Sequence, residues 1–182
     1  MAGRVFNDVY EIAADRFGVV TTAQARAQGI RSQTLVMMAK RGALVQISRG
    51  VYRLAQFPQT ELDHYMEALA WPSPARATLS HESALELFEI SDVNSSRIHI
   101  TVPERYRTRR QVPQYISLHR ADLNDNQVIV YKGLDVTSPD RTILDCHEAA
   151  LGPAIISQAI ADAERKGLLR PYSARSLREL CL

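Results

Sequence analysis

The chain has 182 residues, enough for one large domain or two small ones, and its 46% apolar and 23% charged content is that of a folded globular protein. Two cysteines, Cys146 and Cys181, are too few for a disulfide framework or a cysteine metal cluster, and no apolar run approaches the length of a membrane span. The net charge of +2 is unevenly spread: residues 1–56 hold eight Arg or Lys against three Asp or Glu, whereas residues 57–182 hold fourteen against seventeen. A basic head suits nucleic acid, although a small domain also carries such charge for solubility alone. With no secretion signal evident, a cytoplasmic location is expected.

The pattern predicts a first helix over Asp8–Arg16, capped by Asn7, with Val9, Ile12, Ala13 and Phe17 on one face and Gly18 as its stop. Thr21 and Gln24 have capping-box spacing and open a second, short helix that ends at Gly29. Gly29 supplies a turn and Ile30 tucks inward. A third helix follows over Ser32–Arg41 with Ser32 as cap, turning Leu35, Met38 and Ala39 to the core. Arg31, Ser32, Gln33, Thr34, Met37, Lys40 and Arg41 are then left for solvent or DNA. Ser32, Gln33, Thr34 and Met37 suit base edges or thymine methyls; Arg31, Lys40 and Arg41 suit phosphates, and an arginine can also read guanine. Two short strand patterns, Leu44–Ile47 and Val51–Leu54, flank the turn Ser48-Arg49-Gly50. The order of elements is that of a winged helix-turn-helix, with Arg49 at the wing tip. Winged helices also mediate protein contacts, so the order alone does not settle DNA binding.

Gln56-Phe57-Pro58-Gln59 reads as a domain boundary, giving a head of residues 1–56 and a second domain of residues 57–182. A helix pattern over Glu61–Ala70 stops at Trp71-Pro72-Ser73-Pro74. Ser80 caps a short helix over Glu82–Glu89. Arg97–Val102 alternates as a strand, and further strands are expected at Tyr115–Leu118, Gln127–Tyr131 and Val136–Thr137. Between them lie Arg105, Arg107, Arg109 and Arg110, a cluster able to grip phosphate or an acidic partner, or simply to solvate a loop. Ser138-Pro139-Asp140-Arg141 is a helix start, with Ser138 as cap and Asp140 at the positive end of the helix dipole. Gly152-Pro153 separates that helix from one over Ala154–Lys166, and Ser173 can start a last one. The expected class is α+β: a winged helix-turn-helix followed by a mixed α/β domain, without the glycine-rich phosphate loop of a dinucleotide fold.

No catalytic constellation is evident. His81-Glu82 lacks the second histidine of a zinc-protease motif, and His81, His99, His119 and His147 are scattered singly, each read as structural rather than as a metal ligand. Asp145 and Glu148 are three apart on one helix, a packing feature, and Arg141 is expected to pair within its helix with Asp145. Cys146 reads as a small core residue. No nucleophile, base and oxyanion hole assemble, and the reading is of a non-enzyme without metal or cofactor.

Two stretches carry a resemblance. The run from Gly18 through Leu54, and the later GLDVTSPDRTILDC of Gly133–Cys146 together with LSHESALELF and RIHITVP, resemble the AbiEi-type antitoxin and transcriptional-regulator family over nearly the whole chain. The resemblance implies a winged head that represses its own operon by binding inverted repeats, and a second domain that counteracts a nucleotidyltransferase-like toxin; a palindromic site would need two heads, which suggests a homodimer on DNA. It places DNA reading on Arg31, Gln33, Thr34, Met37 and Lys40, with the wing at Arg49. It makes Ser138, Pro139, Asp140, Arg141 and Asp145 a structural signature. The alternative is a protein-interaction module that neutralises its toxin without specific DNA binding.

Overall fold

Each end of the first helix is set by what its neighbours can bury. The structure, a computed structural model, describes residues 2–181, and the chain divides between Arg76 and Ala77 into two compact units. In the first, α1 spans Ala2–Ala14 and not 8–16. Asn7 is therefore inside the helix and caps nothing, because Val5 upstream also packs on the core and prolongs the apolar face. Phe17 and Gly18, at φ 54° and 76°, then turn the chain, and the Gly18 amide donates back to the Ala13 carbonyl at 2.9 Å.

Strand β1 (Val19–Thr21), too short for the alternation rule to detect, leads into α2 (Thr22–Ala27). The capping box is present: the Gln24 amide donates to Thr21 Oγ1 at 3.2 Å and the Thr21 amide donates to Gln24 Oε1 at 2.9 Å. Then come α3 (Ser32–Lys40), β2 (Leu44–Ser48) and β3 (Val51–Leu54). The sheet order is β1-β3-β2, antiparallel throughout. Val9, Ala13, Ala25, Ile30, Leu35, Leu44 and Tyr52 form the core, drawn from the helices, strands and turn that frame α3.

The unit extends twenty residues beyond the boundary expected at 56/57. Phe57 packs on the core instead of opening a linker, and α4 (Asp63–Ala70) packs on β1. An ion pair ties the extension down: Arg53 Nη2 of β3 lies 2.5 Å from Asp63 Oδ2. Gly18 makes room for Phe57. A Cβ there would sit 2.6 Å from the Phe57 ring, at a φ of 76°. Gly29 has a φ of 75° but nothing within 4 Å of such an atom. Gly18→Ala should therefore destabilise the unit by about 2–3 kcal/mol, strain plus overpacking, against about 1 kcal/mol for Gly29→Ala, strain alone. Equal urea midpoints for the two variants would contradict this packing.

The second unit runs β4 (Thr78–Leu79), α5 (His81–Phe88), β5 (Ile98–Val102), β6 (Ile116–Arg120), a 3-10 turn at Asp125–Gln127, β7 (Val128–Tyr131), β8 (Leu134–Thr137), α6 (Pro139–Glu148), α7 (Pro153–Arg165) and α8 (Pro171–Cys181). Its five-stranded sheet has the order β6-β5-β4-β8-β7, with β5–β6 and β4–β8 parallel and the other pairs antiparallel. Helix α5 packs on β5 and α6, and α6 on α7 and α8. The class is α+β, and no dinucleotide-type doubly wound sheet is formed. Two expected caps are corrected. Ser80 and Ser138 occupy N-cap positions, but neither hydroxyl makes a capping bond to the backbone amides of its helix. Ser80 Oγ accepts from the Thr101 hydroxyl at 2.8 Å instead. The start of α6 is held from inside by Thr142 Oγ1, which donates to the Thr137 carbonyl at 3.0 Å.

Candidate nucleic-acid interface

Helix α3 owes its position to Gly29 and Ile30. The turn reverses the chain, and the buried Ile30, its amide donating to the Ala25 carbonyl at 2.8 Å, locks α2 against the start of α3. Leu35 is fully buried and Val36, Met38 and Ala39 rest against the same core. The opposite face is left outward: Arg31, Gln33, Met37, Lys40 and Arg41 are exposed, and Ser32 and Thr34 half-buried. The seven side chains expected from spacing thus share one helical face and its two ends.

The N-terminus of α3 differs from expectation. Arg31, not Ser32, is the N-cap residue, and its side chain makes no capping bond. The first-turn amides of α3 therefore have no acceptor from the cap side chain, the arrangement in which a helix end receives phosphate oxygens. Ser32 lies in the first turn, and its hydroxyl accepts from Arg26 Nε at 2.8 Å. Arg26 is thereby fixed beside that helix end together with Arg31. Nothing in the sequence pattern singles out Arg26, because a contact between residues six apart across a turn leaves no periodic trace.

The wing is a hairpin with an irregularity. The register of β2 against β3 shifts between Gln46 and Ser48, so Ile47 bulges before the Arg49-Gly50 tip. Gly50 has a φ of 82°, and its carbonyl accepts from the Thr22 amide at 2.8 Å, tying the wing to the start of α2. Arg49 is exposed at the tip, and Val45, 55% exposed, and Gln46 are exposed on β2. Wing and α3 thus belong to one packed unit, and the surface they offer combines exposed uncharged polar and basic side chains.

The four arginines of the second unit are not equivalent. They lie on the connection between β5 and β6. Arg107 Nη1 donates to the carbonyls of Glu104 and Tyr106 at 2.7 and 2.8 Å, bracing its own loop. Arg105 and Arg109 are exposed, and Arg110 is half-buried. In the TSPDR stretch, Arg141 Nε donates to Asp145 Oδ1 at 2.7 Å, the pairing expected within that helix. Asp140 is exposed and joins no ion pair with Arg141 among the described residues. Burial raises the Asp145 carboxyl despite Arg141, and burial also pushes the Cys146 thiol far up, so this cysteine is an inert core residue.

The histidines require a correction. They are scattered in sequence, yet three of them converge in the second unit, each with one ligand-capable atom, these atoms lying within 4.8 Å of one another: His81, His99 and His119. Register brings them together. Thr101 pairs with His119 and His99 with Ser117 in the parallel β5–β6 ladder, while the Ser80 amide donates to the His99 carbonyl at 3.0 Å. His147 stays outside, exposed on α6. No motif spacing announces such a group, because it is made by strand pairing.

Comparison with known proteins bears on both units. The chain is similar to the crystal structure of the RV2827C protein from Mycobacterium tuberculosis, with 23% identity and a TM-score of 0.51 over 93% of this chain and 73% of that one, a likeness of fold. No curated protein matches it. No described helix is long and apolar enough to cross a membrane. Residues 7–55, comprising most of α1, all of α2 and α3, and the wing, match the model of a family described as transcriptional regulator, AbiEi antitoxin.

Proposed function

We propose that this protein is a sequence-specific DNA-binding repressor that acts as a homodimer on an inverted repeat in its own promoter, and that it is the antitoxin of a nucleotidyltransferase-like toxin. The observation that carries the reading is the outward face of α3 beside an arginine-tipped wing, in a unit that matches a family of regulators. In this reading Gln33 and Thr34, in the first turn of α3, enter the major groove and read base edges, with Met37 against thymine methyls. Arg31, Lys40, Arg41 and Arg49, with Arg26 beside the helix end, hold the backbone on either side. No step needs a cofactor, and the protein works by binding and not by catalysis. The toxin contact is assigned to the second unit, where Arg105 and Arg109 are exposed and would meet an acidic partner.

The test is a fluorescence-anisotropy titration of the chain with its own upstream DNA and with a scrambled duplex of equal length. The native site should bind about a thousandfold more tightly. Gln33→Ala with Thr34→Ala should weaken the native site by about 1–3 kcal/mol for each base edge no longer read, and leave scrambled DNA unaffected. Equal affinity for both duplexes would reject the reading as a specific repressor. Protection from a co-expressed toxin that survives abolished DNA binding would separate the antitoxin role from the promoter role.

A further inference from the structure

Strand pairing in the second unit brings three imidazoles together. His99 and His119 lie on one face of the β5–β6 ladder, and His81 follows β4 at the start of α5. One ligand-capable atom of each lies within 4.8 Å of the others: His119 Nε2 is 3.1 Å from His99 Nδ1, while the ring of His81 is stacked on that of His119 with centroids 3.6 Å apart. Nitrogen ligands about 2.0–2.1 Å from a tetrahedral zinc ion are separated from each other by roughly 3.4 Å.

We propose that His81, His99 and His119 bind a divalent first-row transition-metal ion, zinc by preference, with three neutral imidazoles and a fourth position left for water or an exogenous ligand. The surroundings orient the rings for it. Glu82 Oε2 lies 2.8 Å from His99 Nε2 and accepts its proton, which leaves the Nδ1 lone pair facing the cluster. Ser80 Oγ lies 3.0 Å from His81 Nδ1, which leaves Nε2 of that ring, and Ser80 is held in turn by the Thr101 hydroxyl at 2.8 Å. Ser95 Oγ donates to Glu82 Oε2 at 3.3 Å and also lies 3.3 Å from His99 Nε2. The Glu82–His99 and Ser80–His81 pairings form the outer layer that fixes tautomers around a metal.

Burial keeps the group in its binding form. It lowers His81 to about 3 and His119 to about 4, and lowers His99 as well despite the opposing charge of Glu82. All three rings are neutral near neutral pH, so a metal displaces few protons. The donor set, nitrogen without thiolate, fits zinc, copper, nickel or iron and not magnesium or calcium. Arg141 contributes positive charge near His81, but its guanidinium is bonded to Asp145, and Glu82 supplies the compensating negative charge in direct contact with His99. His81 reaches the ion by turning out of its stack on His119. The bound ion would join α5, β5 and β6 at one point and stiffen the second unit.

Full-length protein stripped with chelator is titrated with zinc chloride by calorimetry and, separately, with cobalt chloride by visible absorption. One zinc ion per chain and the intense visible bands of four-coordinate cobalt are expected. His99→Gln with His119→Gln should lower zinc affinity more than about a hundredfold, Glu82→Gln by about 10–100-fold as an outer-layer residue, and His147→Ala not at all. Absence of the cobalt bands in the unaltered chain overturns the proposal without reference to any variant. Zinc uptake that persists in the double variant, with the folded state checked by circular dichroism, overturns it equally.

Discussion

Arg53→Met is expected to destabilise the head by about 3–5 kcal/mol, the cost of leaving a nearly buried carboxylate without its cation. The side chains of Arg53 and Asp63 are only 12% and 11% exposed, and Glu67 Oε1 lies 3.6 Å from Arg53 Nη1. One guanidinium therefore stands between two acids, and methionine keeps its stem while removing its charge. Asp63 also accepts from the Thr60 hydroxyl at 2.8 Å and from the Thr60 amide at 3.2 Å. Burial alone would raise its carboxyl, but these bonds and Arg53 together hold it below its ordinary 3.8. Glu67, by contrast, is raised by burial despite Arg53. A carboxyl depressed in the folded state adds stability above its unfolded value, and that stability is lost as pH falls through the folded value. The deficit of the variant should thus be full near neutral pH and should shrink as pH falls through the acid range, where Glu67, raised from its ordinary value, takes up its proton first and Asp63, held below its own, takes it up last. Urea denaturation of parent and variant across this range measures it. A deficit under about 1 kcal/mol at neutral pH would rank the pair with ordinary surface ion pairs, whose contribution is small. It would also leave α4 without its electrostatic anchor on the head.

What the sequence made legible was whatever rests on local chemistry. The Thr21–Gln24 capping box, the Gly29 turn, the buried Leu35 and the hairpin at Gly50 all depend on residues within a few positions of each other, and each is present. The outward face of α3 could be named because helical periodicity alone separates it from Leu35. Non-local partners were invisible. Asn7 and Ser32 looked like caps by type, yet Val5 extends α1 past the first and Arg26 engages the second. Phe57-Pro58 looked like a linker because proline marks breaks, while the space made for Phe57 by Gly18 lies thirty-nine residues upstream. The histidines show the same limit most plainly: positions 81, 99 and 119 share no helix or single strand, and only the β4–β5 and β5–β6 pairings bring them together.

A chain with Arg31, Lys40, Arg41 and Arg49 all changed to alanine should bind every duplex about a thousandfold more weakly at 0.1 M salt. The estimate follows from counterion release. Each phosphate contact contributes about 0.9 to the slope of log affinity against log salt, so four contacts contribute roughly 3–4, and about as many powers of ten at that concentration. The four residues qualify because they are exposed at the two ends of α3 and at the wing tip, the places from which a helix lying in the major groove meets the backbones on both sides. None of them belongs to the head core, so the variant should melt with the parent. The contrast with Gln33→Ala and Thr34→Ala gives the experiment its force. That pair should keep the parental salt slope and relax sequence preference, whereas the charge variant should keep its preference and flatten the slope. Arg105→Ala with Arg109→Ala, in the second unit, should change neither if those residues serve a protein partner. A slope that stays parental in the quadruple variant would move the backbone contact off α3 and the wing, and the basic balance of residues 1–56 would then be a matter of solubility alone.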